Sequence, residues 1–76
     1  MGRVRISVAF AKVLRREREA KSLTQETLAH RAGLHRTYVG LIERGLRKPT
    51  VEVGHALAEA LGTHLSDLIR EAEKRL

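Results

Sequence analysis

The chain has no cysteine among its 76 residues. That excludes a disulfide framework and a thiolate metal site, and it points to a reducing compartment. Long apolar runs are missing as well. Val8 to Ala11 is about as long as they become, far short of the roughly 20 residues that span a bilayer. Ile6 stands where an N-myristoylation signal needs Ser or Thr, and Lys12 interrupts what would otherwise resemble a signal-peptide core. The expectation is a cytoplasmic protein with no membrane partner. Alternating β-branched residues are absent too, apart from "RVRISV" near the start, so the fold class expected is all-α. A chain of this length has room for one domain, residues 1–76, with one modest core. Below about 80 residues buried area only narrowly outweighs chain entropy, and a partner subunit would add stability.

Acids are scarce in the first part of the chain. Residues 1–48 hold twelve bases against four acids, a net +8, whereas residues 49–76 carry −2. Such asymmetry suggests a polyanionic partner for the first part and a different task for the second. Lysine and arginine also solubilise small domains, so charge alone does not decide between these.

Apolar spacing and punctuation divide the chain into five helices. The first runs from about Ser7, a residue suited to N-capping, to Lys21, with Phe10, Val13, Leu14 and Glu17 at helical spacing. The second follows Thr24, whose hydroxyl can cap the free amides. Leu23 and Leu28 are placed there for a hydrophobic staple, and Gly33 ends the helix. The third lies within "LHRTYVGLIERG", Leu34 to Gly45, with Gly45 just past its end. Thr50 caps the fourth, which carries Val51, Val53, Leu57, Ala58 and Leu61 before Gly62. The fifth, about Leu65 to Arg75, presents Leu65, Leu68, Ile69 and Ala72 on one stripe, with Asp67 in its first turn as a partner for the helix dipole.

The third helix has two unlike faces. At about 100° per residue, Arg36, Thr37, Gly40, Leu41 and Arg44 share one arc, while Tyr38, Val39, Ile42 and Glu43 take the other. The first arc has two fixed positive charges, a small hydroxyl, a bare backbone position and no acid. The second and third helices, about residues 24–45, thus form a helix-turn-helix whose second helix can enter a DNA major groove about 12 Å wide. In that geometry Arg36 and Thr37 meet base edges, Leu41 packs on a thymine methyl, and Gly40 lets the helix backbone approach closely. Gln25 offers its amide to a phosphate beside the free N–H groups of its helix end, and Arg44, Arg47 and Lys48 neutralise phosphates on the flanks. Tyr38, the only tyrosine, sits at the edge of the apolar face, where its ring packs and its hydroxyl stays wet.

At "LRREREAKSLTQETLAHRAGLHRTYVGLIERGLRKPTVEV" the sequence resembles the Cro/C1-type (XRE-like) helix-turn-helix family. Within it, "RTYV" and "IERG" are most similar to the controller proteins of restriction-modification systems, small homodimers that activate and repress their own operon. The resemblance implies a five-helix lambda-repressor-like fold and a homodimer on a palindromic operator in double-stranded DNA, with RNA polymerase as a further partner. It implies that Arg36, Thr37 and Leu41 face bases, that Gln25 and Arg44 lie on the backbone, and that Tyr38 reaches a phosphate or neighbouring base. Arg18 and Glu43 are implied to form a structural salt bridge between the first and third helices. Three positions depart from the family pattern. Ser22 replaces a usual glycine and must take a left-handed conformation or move the turn. His35, a poor cap, is left for a base contact. Gly54 replaces a large apolar residue, at a cost in packing and helix propensity.

The stripe Leu65, Leu68, Ile69 and Ala72 either closes the core or forms part of a twofold dimer interface; with helix four, about residues 50–75 are expected to serve packing and dimerisation. His30, His35, His55 and His64 include no pair four residues apart, so no metal site is expected. No Ser, His and carboxylate cluster and no glycine-rich phosphate loop appears, so neither catalysis nor a cofactor is expected. Besides the controller-type regulator, the sequence leaves open an antitoxin-like or phage-type repressor. A protein-interaction adaptor that kept the fold without reading DNA is the alternative of another class; acids or apolar groups on the Arg36 face would mark it, and only Leu41 is of that kind.

Overall fold

A computed structural model describes residues 5–76. Five helices follow one another: α1 (Ile6–Ala20), α2 (Gln25–Ala32), α3 (Arg36–Glu43), α4 (Val51–Ala60) and α5 (Leu65–Lys74), with no strand among the described residues. The strand-like start is therefore helix from Ile6 onward; its first two residues, Arg3 and Val4, lie outside the described residues. Ser7 does not cap α1. It is the second helical residue, and the N-cap position falls on Arg5, which makes no side-chain cap bond.

Thr24 and Thr50 cap as their chemistry predicts, each hydroxyl accepting the backbone N–H three residues on at 3.0 Å, from Thr27 and Val53. Leu28 is fully buried and Leu23 packs against the core, the arrangement a staple requires. The end of α1 turns through Ser22 at φ 56°, the one described non-glycine residue in the left-handed region. Ser22 N–H donates to Glu19 O at 2.9 Å and Leu23 N–H to Arg18 O at 3.1 Å, which satisfies carbonyls that the helix end leaves free. A Cβ strains this conformation by about 1 kcal/mol relative to glycine. Ser22→Gly is expected to raise stability by up to about that amount in chemical denaturation; a loss of stability would show that the serine relieves its own strain.

The core is formed by Phe10, Val13 and Leu14 of α1, Leu28 of α2, Val39 and Ile42 of α3, Leu57 and Ala58 of α4, Leu61, and Leu68 and Ala72 of α5. α1 packs against α5 and α3, α2 against α3 and α4, and α4 against α5. Leu68 and Ala72 are 2% and 0% exposed, so the α5 stripe expected to serve dimerisation is split. Those two residues close the monomer's own core, and only Leu65 and Ile69 remain partly exposed. Gly54 also departs from its expected packing cost. A β-carbon there would stand 3.1 Å from Leu65 Cδ1, so the leucine of α5 already fills the space the missing side chain leaves.

Candidate nucleic-acid interface

The turn joining α2 to α3 is Gly33, Leu34 and His35. Gly33 adopts φ 72°, and the N–H groups of Gly33 and Leu34 donate to His30 O and Ala29 O at 3.2 and 2.8 Å. Leu34 packs against the core, which sets the direction in which α3 leaves. His35 takes the N-cap position with no side-chain cap bond, and its side chain is exposed.

On α3 the inward face is Val39, Ile42, Glu43 and Gly40, all buried. Arg36, Thr37 and Arg44 are exposed, and Leu41 and Tyr38 are half-buried on either side of the outward face. The division differs from the expected arc at one residue. Gly40 does not offer bare backbone to a ligand: a β-carbon there would lie 3.3 Å from Gln25 Oε1, so Gly40 makes room for the side chain of α2. An open groove runs between the start of α2 and α3, with Thr24, Gln25, Glu26, Arg36, Thr37 and Arg44 on its walls and Gly40 and Arg18 at its base.

Behind the groove, Arg18 and Glu43 meet as the resemblance implied. Arg18 Nε and Nη2 donate to the two oxygens of Glu43 at 2.7 and 3.0 Å, and Nη1 donates to Leu23 O at 2.7 Å. The side chains are only 11% and 2% exposed. The hydrogen bonds it donates to Glu43, and then the charge of that carboxylate, hold the Arg18 guanidinium even more firmly protonated than usual, against the opposing loss of hydration. Gln25 Nε2 donates to the same Glu43 carboxylate at 3.0 Å. No buried side-chain nitrogen or oxygen among the described residues lacks a partner. Removing either ion would leave the other buried and uncompensated.

Past the end of α3, the Arg47 guanidinium lies 5.8 Å from the centre of the Tyr38 ring, within range of a cation–π contact. That ring thus holds a cation beside the recognition face. Arg44 Nε donates to Gly40 O at 3.2 Å, and Lys48 is exposed in the following loop. The structure accordingly gathers Arg36, Thr37, Leu41, His35, Tyr38, Arg44, Arg47 and Gln25 around one helix and its turn.

Two features of this surface were not anticipated. Glu26 of α2 approaches Arg36 at 3.9 Å, with both side chains largely exposed, so an acid does border the face that α3 alone leaves free of acids. An exposed pair of this kind contributes at most about 1 kcal/mol and gives way readily to a stronger anion. The bond from Gln25 to Glu43 likewise joins residues with no local signal connecting them. Among the described residues no group of His, Asp and Glu is arranged to hold a metal ion, and no helix is long and apolar enough to cross a membrane.

A second groove is lined by Ile6 and Phe10 of α1, Pro49 before α4, Val51 of α4, and Leu65 and Ile69 of α5, with Arg5, Ser7, Lys48 and Thr50 among these apolar residues. Val51 is 74% exposed and Ile6 37%.

A short helix packed across the start of a second, outward-facing cationic helix, joined by a glycine turn, defines a helix-turn-helix domain. A helix-turn-helix family model matches residues 14–68, and the chain belongs to that family, in its Cro/C1-type branch. It is 41% identical over 64 residues to the control protein C.SmaI of Serratia marcescens, an alignment covering 84% of this chain and 76% of that protein. The restriction-modification controller protein C.AhdI from Aeromonas hydrophila superposes with a TM-score of 0.80 at 45% identity, over 82% of this chain and 94% of that one. The controller protein C.Esp1396I, solved as a tetramer in complex with its natural 35 base-pair operator, superposes with a TM-score of 0.79 at 29% identity, over 90% and 95% of the two chains. The family is one of transcriptional regulators, not enzymes.

Proposed function

We propose that this chain is a controller-type transcription regulator that binds a palindromic DNA operator as a homodimer and regulates its own operon. The observation that carries this reading is the outward face of α3. Arg36, Thr37, Leu41 and Arg44 stand clear of the core beside the free end of α2, with Arg47 and Lys48 on the flank. Arg36, Thr37, Leu41 and His35 read base edges, Arg36 through the bidentate donors that suit guanine. Gln25, Tyr38, Arg44, Arg47 and Lys48 contact phosphates and fix the register. The similarity to controller proteins, one of them seen on its operator, supports the same reading.

A single eight-residue recognition helix makes too few base contacts for operator-level specificity. Two copies on half-sites about one helical turn, roughly 34 Å, apart supply the rest. The groove of Ile6, Val51, Leu65 and Ile69 includes no residue of α3, though Lys48 borders it, and is the surface assigned to the second copy. Activation would bring RNA polymerase beside the bound dimer, and the reading places the protein in the cytoplasm.

The contact assignment is tested by two substitutions against duplexes selected from random sequence by the unmodified protein. Arg36→Ala is expected to cost about 1–3 kcal/mol on the preferred duplex and to relax preference at one base pair per half-site, whereas Lys48→Ala weakens all duplexes alike. Equal losses from both, independent of sequence, would show that Arg36 does not read bases.

A further inference from the structure

The side-chain amide of Gln25 is held from two sides by residues of α3 that do not themselves reach the groove mouth. Glu43 accepts one of its N–H groups at 3.0 Å, and the same carboxylate is pinned by two donors of Arg18. A carboxylate cannot receive the amide oxygen, so this bond fixes which end of the amide faces inward. The oxygen then rests over Gly40, in the space where a β-carbon would stand 3.3 Å away. One amide hydrogen is left with no partner among the described residues, in a side chain that lines the groove between α2 and α3.

We propose that Gly40 and Glu43 are positioning residues for DNA binding: Glu43 orients the Gln25 amide, Gly40 gives it room, and its free N–H is thereby presented to a phosphate before the duplex arrives. This rests on the reading that Gln25 contacts phosphate. A glutamine side chain free in water must be ordered on binding, at an entropic cost that lowers affinity; one already bonded in the free protein avoids that cost. The arrangement gives a buried glycine a purpose in the middle of a short helix, where alanine would favour the helical conformation. It also couples the salt bridge between α1 and α3 to the nucleic-acid face.

Gly40→Ala separates this role from a structural one. The added methyl meets the far end of a flexible side chain, so the amide moves by a few tenths of an ångström while the helices stay in place. The melting temperature is expected to hold or rise. Binding to a duplex selected by the unmodified protein is followed for the wild type, Gly40→Ala, Gln25→Ala and the double variant. Gln25→Ala is expected to weaken binding by roughly tenfold or more, the loss of a hydrogen bond to a charged group. Gly40→Ala alone is expected to weaken it by about threefold to tenfold, with the salt dependence unchanged because no cation is lost. The double variant should bind like Gln25→Ala. If Gly40→Ala costs as much in the Gln25→Ala background, the methyl meets the duplex directly and the proposal is overturned. Wild-type affinity in Gly40→Ala overturns it too. If Gln25→Ala binds normally, Gln25 does not touch the phosphate and the underlying contact fails, a result distinguishable from the other two.

Discussion

Raising the salt concentration from 50 to 200 mM is expected to weaken operator binding by on the order of a thousandfold. Each phosphate neutralised by lysine or arginine releases condensed counterions, and the logarithm of affinity falls with the logarithm of salt at about 0.9 per contact. Arg44, Arg47 and Lys48 are all exposed around α3, and none of the three has an acidic partner among the described ion pairs. A dimer doubles them to about six contacts, the number at which the slope predicts that loss. Arg36 adds to the effect only after leaving Glu26. Fluorescence anisotropy on a fixed duplex across the salt range measures the slope. A flat response would mean that these cations do not meet phosphates, and the DNA-binding reading would fall with it.

The second large effect is expected from Val51→Asp. Val51 is the first residue of α4 and is 74% exposed on the apolar groove. In the monomer an aspartate there is favourable, because a carboxylate in the first turn interacts with the helix dipole by about 0.3–1 kcal/mol. At a twofold interface the same substitution carries two carboxylates into a largely apolar seam, a desolvation cost that Arg5 and Lys48 on the groove wall offset only in part, for a net loss of about a few kcal/mol. The variant should therefore remain folded by circular dichroism, sediment as a monomer at concentrations where the wild type is expected to dimerise, and lose cooperative operator binding while retaining weak half-site affinity. A Val51→Asp protein that still dimerises would move the interface elsewhere. A wild type that is monomeric at tens of micromolar, and binds a full palindrome no better than a half-site, would remove the dimer from the reading.

What the sequence made legible was chiefly what local chemistry decides. Thr24 and Thr50 cap because a hydroxyl at a helix start has few alternatives; at Ser22, where the family likeness has glycine, the chain took the left-handed one of the two courses left open. The helix-turn-helix followed from the placement of Gly33 between two apolar periods, and the Arg18–Glu43 pair from the family likeness. The errors arose where packing between helices decides. Periodicity put Leu65, Leu68, Ile69 and Ala72 on one stripe but could not say how deeply α1 and α4 would cover it; two of the four are sealed inside. The same limit hid the filling of the Gly54 space by Leu65 and the use of Gly40 by Gln25, since a missing side chain is explained only by the neighbour that enters. At Ser7 the local rule itself misled: the helix starts two residues earlier than a cap at Ser7 implies, with Arg5 at its cap position.

The division of labour around α3 has a consequence for how such a regulator changes over generations. Val39, Ile42 and Glu43 keep the helix in place, while Arg36, Thr37 and, in part, Leu41 face outward. Exchanges at exposed positions away from special backbone or buried partners usually shift stability by no more than about 0.5 kcal/mol. Operator and reader can therefore drift together through single steps at 36 and 37 without passing through an unfolded ancestor. Position 40 is different: if Gln25 depends on its vacancy, lineages that acquire new half-sites are expected to vary around that small residue and to keep it small.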